Sequence, residues 1–263
     1  MIAGSAAAAQ AAQPPSRGQA AEGSLTILFT HDLHSSLSPR PATGQDGMTR
    51  MVGGYAKIAA EAAAAKAAAG GRAILVDSGD FTMGTPFHVI SREEAAELRV
   101  MGAMGYDALT LGNHEFDFHP DGLAATLTRA AAEGRRPLLL AANVVFPEPG
   151  KGDAGTEALA KAFSAYGIVP TTIVERGGLK IGVFGLLGKD AADDSPYAWP
   201  LVFGDPVESA KKAVAALKAA GADLVICLSH GGTSRDPDRS ADQLLAKAVP
   251  GIDVIVSGHS HST

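Results

Sequence analysis

The chain has 263 residues, 46% of them hydrophobic and 19% charged, with a formal net charge of −6 and a mean hydropathy of +0.10. That is enough apolar material for one large α/β domain or two small ones, and it provides no basic field to grip a nucleic-acid polymer through its phosphates. The lone cysteine, Cys227, excludes an intramolecular disulfide, and no apolar run approaches the roughly 20 residues of a membrane-spanning helix.

Residues 1–23 are dominated by Ala, Gln, Gly, Ser and Pro and read as a disordered or processed tail, leaving 24–263 as the folded unit. Within the tail, Ala6 to Ala12 resembles the remnant of an export signal, although no basic segment precedes it. A first strand is predicted at 25–29, then an Ala-rich helix at 53–69 stopped by Gly70-Gly71, a strand at 73–76 and a helix from Ser91 to about 104 with an acidic start. A strand at 108–111, a helix at about 122–133 and a strand at 138–141 complete the first half, and Pro147 to Asp153 is rich in turn formers. Segments 171–175 and 179–186 flank Gly177-Gly178 as a β-hairpin, followed by a helix at 207–219, a strand at 224–228, a helix at 241–248 and a strand at 252–256. Strands alternating with helices predict an α/β fold, and the hairpin predicts a mixed sheet.

Five clusters of hard-metal and imidazole ligands each close one of the apolar strands: Asp32-Leu33-His34, Gly79-Asp80, Gly112-Asn113-His114-Glu115, Ser229-His230-Gly231 and Gly258-His259-Ser260-His261. Loops at the C-terminal ends of sheet strands share a rim, so the clusters can converge on metal ions with oxygen and nitrogen donors. Bound divalent cations also provide the local positive charge that an acidic protein needs to handle an anionic substrate. Asp32 and His34 project to one side of an extended backbone, as do His259 and His261. The two oxygens of Asp80 can bridge two cations, with Asp77 and Ser78 competing for that role, and Asn113 offers a neutral carbonyl. His114 suits a proton donor held by Asp117. Taken singly, Asp32-Leu33-His34, Gly79-Asp80 and a lone loop histidine read better as a turn, a helix cap or a solvated side chain, and Gly112-Asn113-His114-Glu115 reads equally well as a turn; only the five strand ends together point to a metal centre. Glu115, His31, His88 and His119 read as structural neighbours, and Cys227 as core packing.

In order, these clusters resemble the calcineurin-like metallophosphoesterases, and Thr30-His31-Asp32-Leu33-His34, Asp77-Ser78-Gly79-Asp80 and Gly112-Asn113-His114-Glu115-Phe116-Asp117-Phe118 resemble the 5′-nucleotidase branch. The resemblance covers residue 24 to the end. It implies a four-layer α-β-β-α sandwich of two mixed sheets, with a dinuclear metal centre (Mn, Zn, Fe or similar) and a small phosphorylated substrate, a nucleotide. Carried over by motif, one ion takes Asp32, His34, Asp80 and His261, and the other takes Asp80, Asn113, His230 and His259. A bridging hydroxide would attack phosphorus, with His114, oriented by Asp117, stabilising the transition state or protonating the leaving alkoxide.

The sequence departs from that pattern in three ways. Ser35-Ser36 follow the first histidine where relatives have glycine and a polar residue, and His119 replaces a common glycine. Relatives also continue past the last His-x-His with further strands and, in nucleotidases, a C-terminal substrate-binding domain that supplies base-stacking aromatics. The implied sandwich therefore lacks its last strands, leaving sheet edges exposed. Alternatives are a catalytically silent metal-binding fragment that needs a C-terminal partner, a cyclic-nucleotide phosphodiesterase or a thiosulfohydrolase. The resemblance and the signal-like tail favour a periplasmic or extracellular location.

Overall fold

A computed structural model describes residues 24–132 and 134–261, so the tail predicted at 1–23 lies outside the described residues. The first half runs β1 (Thr26–Thr30), β2 (Arg40–Thr43), β3 (Thr49–Val52), α1 (Tyr55–Ala68), β4 (Ala73–Asp77), α2 (Ser91–Glu94), α3 (Ala96–Met104), β5 (Ala108–Thr110), α4 (His119–Ala131) and β6 (Leu138–Leu140). The second half runs β7 (Val144–Val145), α5 (Ala154–Tyr166), β8 (Thr171–Arg176), β9 (Leu179–Leu187), α6 (Lys189–Asp193), β10 (Val202–Phe203), α7 (Pro206–Ala219), β11 (Leu224–His230), α8 (Ala241–Ala248) and β12 (Val254–Ser257).

Two four-stranded sheets organise these elements, in the orders β1-β4-β5-β6 and β12-β11-β9-β8. Every neighbouring pair in the first sheet is parallel, which corrects the expectation of two mixed sheets; only the second is mixed, through antiparallel β8 and β9. The connections explain the difference. Each link in the first sheet passes through a helix, and a helical crossover returns the next strand parallel. By contrast, β8 and β9 are joined by Gly177 and Gly178, both at positive φ (57° and 82°), the backbone of a tight hairpin turn.

Three apolar seams hold the layers together. Leu75, Leu109 and Leu139 on one face of the first sheet pack against Tyr55, Leu98, Leu127 and Leu159 from the helices. The opposite face, with Ile74, Val76, Ala108 and Leu140, meets Ile181, Val183, Ile226 and Leu228 of the second sheet. On the far face of that sheet, Phe184, Val225 and Cys227 lie under Ala213 and Leu217 of α7 and Leu245 of α8. Because strands such as β4 are covered on both faces, they read in the sequence as continuous apolar runs rather than alternating ones. Each fully buried side chain of this kind contributes about 1.5–3 kcal/mol.

Cys227 is a buried core residue, as predicted. The helix predicted from Ser91 to 104 is broken at Ala95, whose φ of 46° separates α2 from α3 and lets buried Glu97 accept a hydrogen bond from Ser35 Oγ at 2.6 Å. The hairpin of β2 and β3 and helix α5 were not foreseen. Among the described residues, no helix is long and apolar enough to cross a membrane. β1 and β12 are outer strands of their sheets, and Phe29 on β1 is 55% exposed.

Candidate metal centre

β1, β4, β5, β11 and β12 run parallel to their neighbours, so their C-terminal ends reach one rim. All seven residues predicted as metal ligands meet there. Donor atoms of Asp32, His34 and His261 lie within 4.8 Å of one another, as do those of His34, Asp80 and His114, and those of Asp80, His230 and His259. Asn113 joins them through its Oδ1, 3.1 Å from both His230 Nε2 and His259 Nδ1. His34 Nε2 is 3.0 Å from His261 Nε2, and His261 Nε2 is 3.6 Å from Asp32 Oδ1. Asp80, common to two of the three groups, places Oδ2 3.1 Å from His230 Nε2.

The backbone is bent to achieve this. Asp32, His34, Asp80, His259 and His261 all have positive φ, between 47° and 74°, a region that non-glycine residues rarely occupy and that costs on the order of 1–3 kcal/mol each. Such strain concentrates where function requires a particular side-chain direction. Carboxylate oxygens, an amide oxygen and imidazole nitrogens gathered at one point fit divalent cations such as Mn, Zn or Fe in their donor chemistry.

Two possible competitors for Asp80 point elsewhere. Asp77 turns inward, its Oδ2 accepting from Thr30 Oγ1 at 2.6 Å and its Oδ1 from Gly79 N at 3.0 Å. Ser78 contributes its carbonyl, 2.7 Å from His230 Nδ1, which turns Nε2 toward Asp80 and Asn113.

Local electrostatics follow from burial and pairing. Burial holds His34 and His259 below the usual imidazole range, which favours the neutral ring with a free lone pair. Burial is the strongest single influence on the carboxyls of Asp32 and Asp80 and pushes both upward, but the hydrogen bonds from His31 and His230 combined with nearby imidazole charge and backbone N–H donors outweigh it, so both stay below the ordinary range and ionised. His230 is disfavoured as a cation by burial, yet the Asp80 carboxylate raises its affinity for a proton. Burial acts most strongly on His114 and disfavours its cation, but the hydrogen bond between its Nδ1 and Asp117 Oδ2, at 2.8 Å, together with the nearby charges of Asp80, Asp117 and Glu115 raises the His114 pKa. His114 is also within ligand reach of His34 and Asp80, but its Nδ1 is committed to Asp117.

Two residues that the sequence marks as structural or merely neighbouring, Glu115 and His31, are structural supports. Buried Glu115 accepts from Asp80 N at 3.0 Å, Gly112 N at 2.6 Å, Thr82 N at 3.0 Å and Thr82 Oγ1 at 2.8 Å, tying the loops after β4 and β5 together. His31 Nδ1 lies 2.7 Å from Asp32 Oδ2 and holds that carboxylate in place. Their proximity to the clusters in sequence was visible, but the direction of their side chains was not. A cavity of about 330 Å³ opens beside His259, lined among others by Asp190, Thr233, Arg239 and Ser260.

Comparison with known proteins agrees with this geometry. Residues 25–263 match the calcineurin-like phosphoesterase family. A probable 5′-nucleotidase of Treponema pallidum is 32% identical over 248 residues, covering 92% of this chain and 37% of the relative. The crystal structure of a 5′-nucleotidase precursor from Thermus thermophilus superposes with a TM-score of 0.73 at 32% identity, over 90% of this chain and 42% of that one. A sulfate thiohydrolase structure from the same organism, 22% identical with a TM-score of 0.68 over 95% of this chain and 50% of that one, shares the fold alone. The chain thus spans well under half the length of its nucleotidase relatives. Matched along its described length in sequence and in fold, this chain belongs to the calcineurin-like phosphoesterase family.

Proposed function

We propose that residues 24–263 form a catalytic domain, layered helix-sheet-sheet-helix, that hydrolyses phosphomonoesters, nucleotides foremost, at a dinuclear divalent-metal centre. The observation that carries this reading is the convergence of the seven predicted ligands on one rim beside the paired His114 and Asp117. One ion would be held by Asp32, His34, Asp80 and His261, and the other by Asp80, Asn113, His230 and His259. Divalent cations in such a site supply Lewis acidity toward phosphoryl oxygens and an activated water.

The chain's own residues do the rest. Glu115 fixes the Asp80 backbone and His31 the Asp32 carboxylate, which positions both residues for an ion. Asp117 holds His114 through Nδ1 and favours its protonated form, which leaves Nε2 to donate to the departing alkoxide. Nucleotides are proposed as substrates because the relatives of about 32% identity are named as nucleotidases.

The purified chain supplied with Mn²⁺ or Zn²⁺ is expected to release phosphate from 5′-AMP and to stop in chelator. Asp80→Ala should lower kcat/KM by about a thousandfold or more and reduce the metal bound, because both ions lose a ligand. Absence of divalent-metal binding by calorimetry under neutral, chelator-free conditions would overturn the reading. Metal binding without turnover of any ester would favour a second one, a metal-binding module that acts only with a further domain, which the partial coverage of the relatives supports.

A further inference from the structure

Two successive residues of the loop after β1, His34 and Ser35, hold left-handed backbone, at φ 47° and 50°. Glycine would adopt the second of these freely, yet a fully buried serine stands there. Its Oγ donates to Glu97 Oε1 at 2.6 Å. Glu97, itself buried, reaches it from the first turn of α3, which Ala95 sets off from α2 with a left-handed φ of 46°. Strained backbone thus stands at both ends of this contact, and two strained residues typically cost more than one hydrogen bond returns on folding. The other carboxyl oxygen, Oε2, is buried without a partner among the described residues. As a source of stability the pair is poor.

What the bond does hold is the turn that carries His34. His34 N donates to Asp80 O and Ser35 N to Phe81 O, both at 2.9 Å, and Thr85 Oγ1 donates to Ser35 O at 2.6 Å. Gly84 closes over the imidazole stem, where a Cβ would fall 2.7 Å from His34 Cβ. These contacts join the turn to the loop after β4, whereas Ser35 Oγ joins it to α3, which Leu98 and Met101 anchor in the core. We infer that the Ser35–Glu97 bond is a positioning contact for the metal centre: it clamps the left-handed turn that presents the His34 imidazole to Asp80 and His261. The inference rests on the proposed centre, and Ser35 and Glu97 act on it through His34, without being ligands themselves.

Replacing both partners, Ser35→Gly together with Glu97→Met, removes the bond, leaves no carboxyl buried unpaired and puts glycine at φ 50°. This double variant should unfold in urea no more easily than the parent. Its affinity for Mn²⁺, measured by calorimetry, should nevertheless fall about tenfold, the scale on which contacts behind a metal ligand act. In chelator, hydrogen exchange at the His34 and Ser35 amides should be faster in the double variant, because the turn is released from α3. Glu97→Gln keeps an oxygen acceptor for Ser35 Oγ and should retain the parental affinity and exchange. Parental Mn²⁺ affinity in the double variant overturns the inference, as does a lower urea midpoint with unchanged exchange, which would mark a merely structural bond. If the parent itself binds no Mn²⁺, the metal centre fails, and exchange alone decides the clamp: faster amides in the double variant sustain it, and unchanged ones remove it.

Discussion

Asp77 and Asp80 are three residues apart, yet they sit in opposite electrostatic surroundings. Asp80 is kept ionised by His230, whereas complete burial raises Asp77 to about 8 despite hydrogen bonds from Thr30 and Gly79. A carboxyl whose folded pKa exceeds its ordinary value of 3.8 binds its proton more tightly in the native state, so its contribution is complete below that value and is lost as pH rises toward 8. Asn cannot lose a proton, and its amide oxygen can accept from Gly79 N. Asp77→Asn is therefore expected to gain stability relative to the parent as pH rises from 5 to 8, with a slope of at most about 1.4 kcal/mol per pH unit. Urea titrations of both proteins in chelator at the two pH values would show it, and parallel stabilities would refute it.

At the scale of elements, the centre depends on how closely the loops after β4 and β5 approach one another. A Cβ on Gly112 would fall on the Asp80 carboxylate and backbone, so Gly112→Ala must separate the two loops that Glu115 ties together. Overpacking of this kind costs about 1–3 kcal/mol, and calorimetry on the variant should show weaker divalent-metal binding together with a lower urea midpoint. Strand by strand, the sequence was readable where burial leaves an unbroken apolar run, as in β4 and β11, and where a glycine pair marks a turn, as between β8 and β9. The ligand clusters were readable because each directly follows such a run. Helix α5 is hard to read from sequence although Asp153 caps it, its side chain accepting from Thr156 N, because the Pro and Gly residues just before it signal a turn. The break at Ala95 had no local signal, since alanine favours continuous helix and the conformation is imposed by packing. The supporting bonds of Glu115 and His31 span positions whose relative orientation only tertiary structure defines.

For the molecule as a whole, the outer strands are the exposed feature. Among the described residues, β1 has a strand partner on one side only, and it carries half-exposed Phe29 beside a groove formed with α1. Unpaired, apolar edges invite pairing with another chain. The 263-residue chain should therefore sediment as larger species at high concentration, and Phe29→Lys should remain monomeric under the same conditions without a lower melting temperature. If the substituted and parent chains associate equally, the β1 edge is not responsible.

The centre also joins the two ends of the described fold, since His34 and His261 touch although 227 residues separate them. A cation bound there would be caged only once β12 had docked, so it would act as a late latch that slows unfolding and lends little speed to folding.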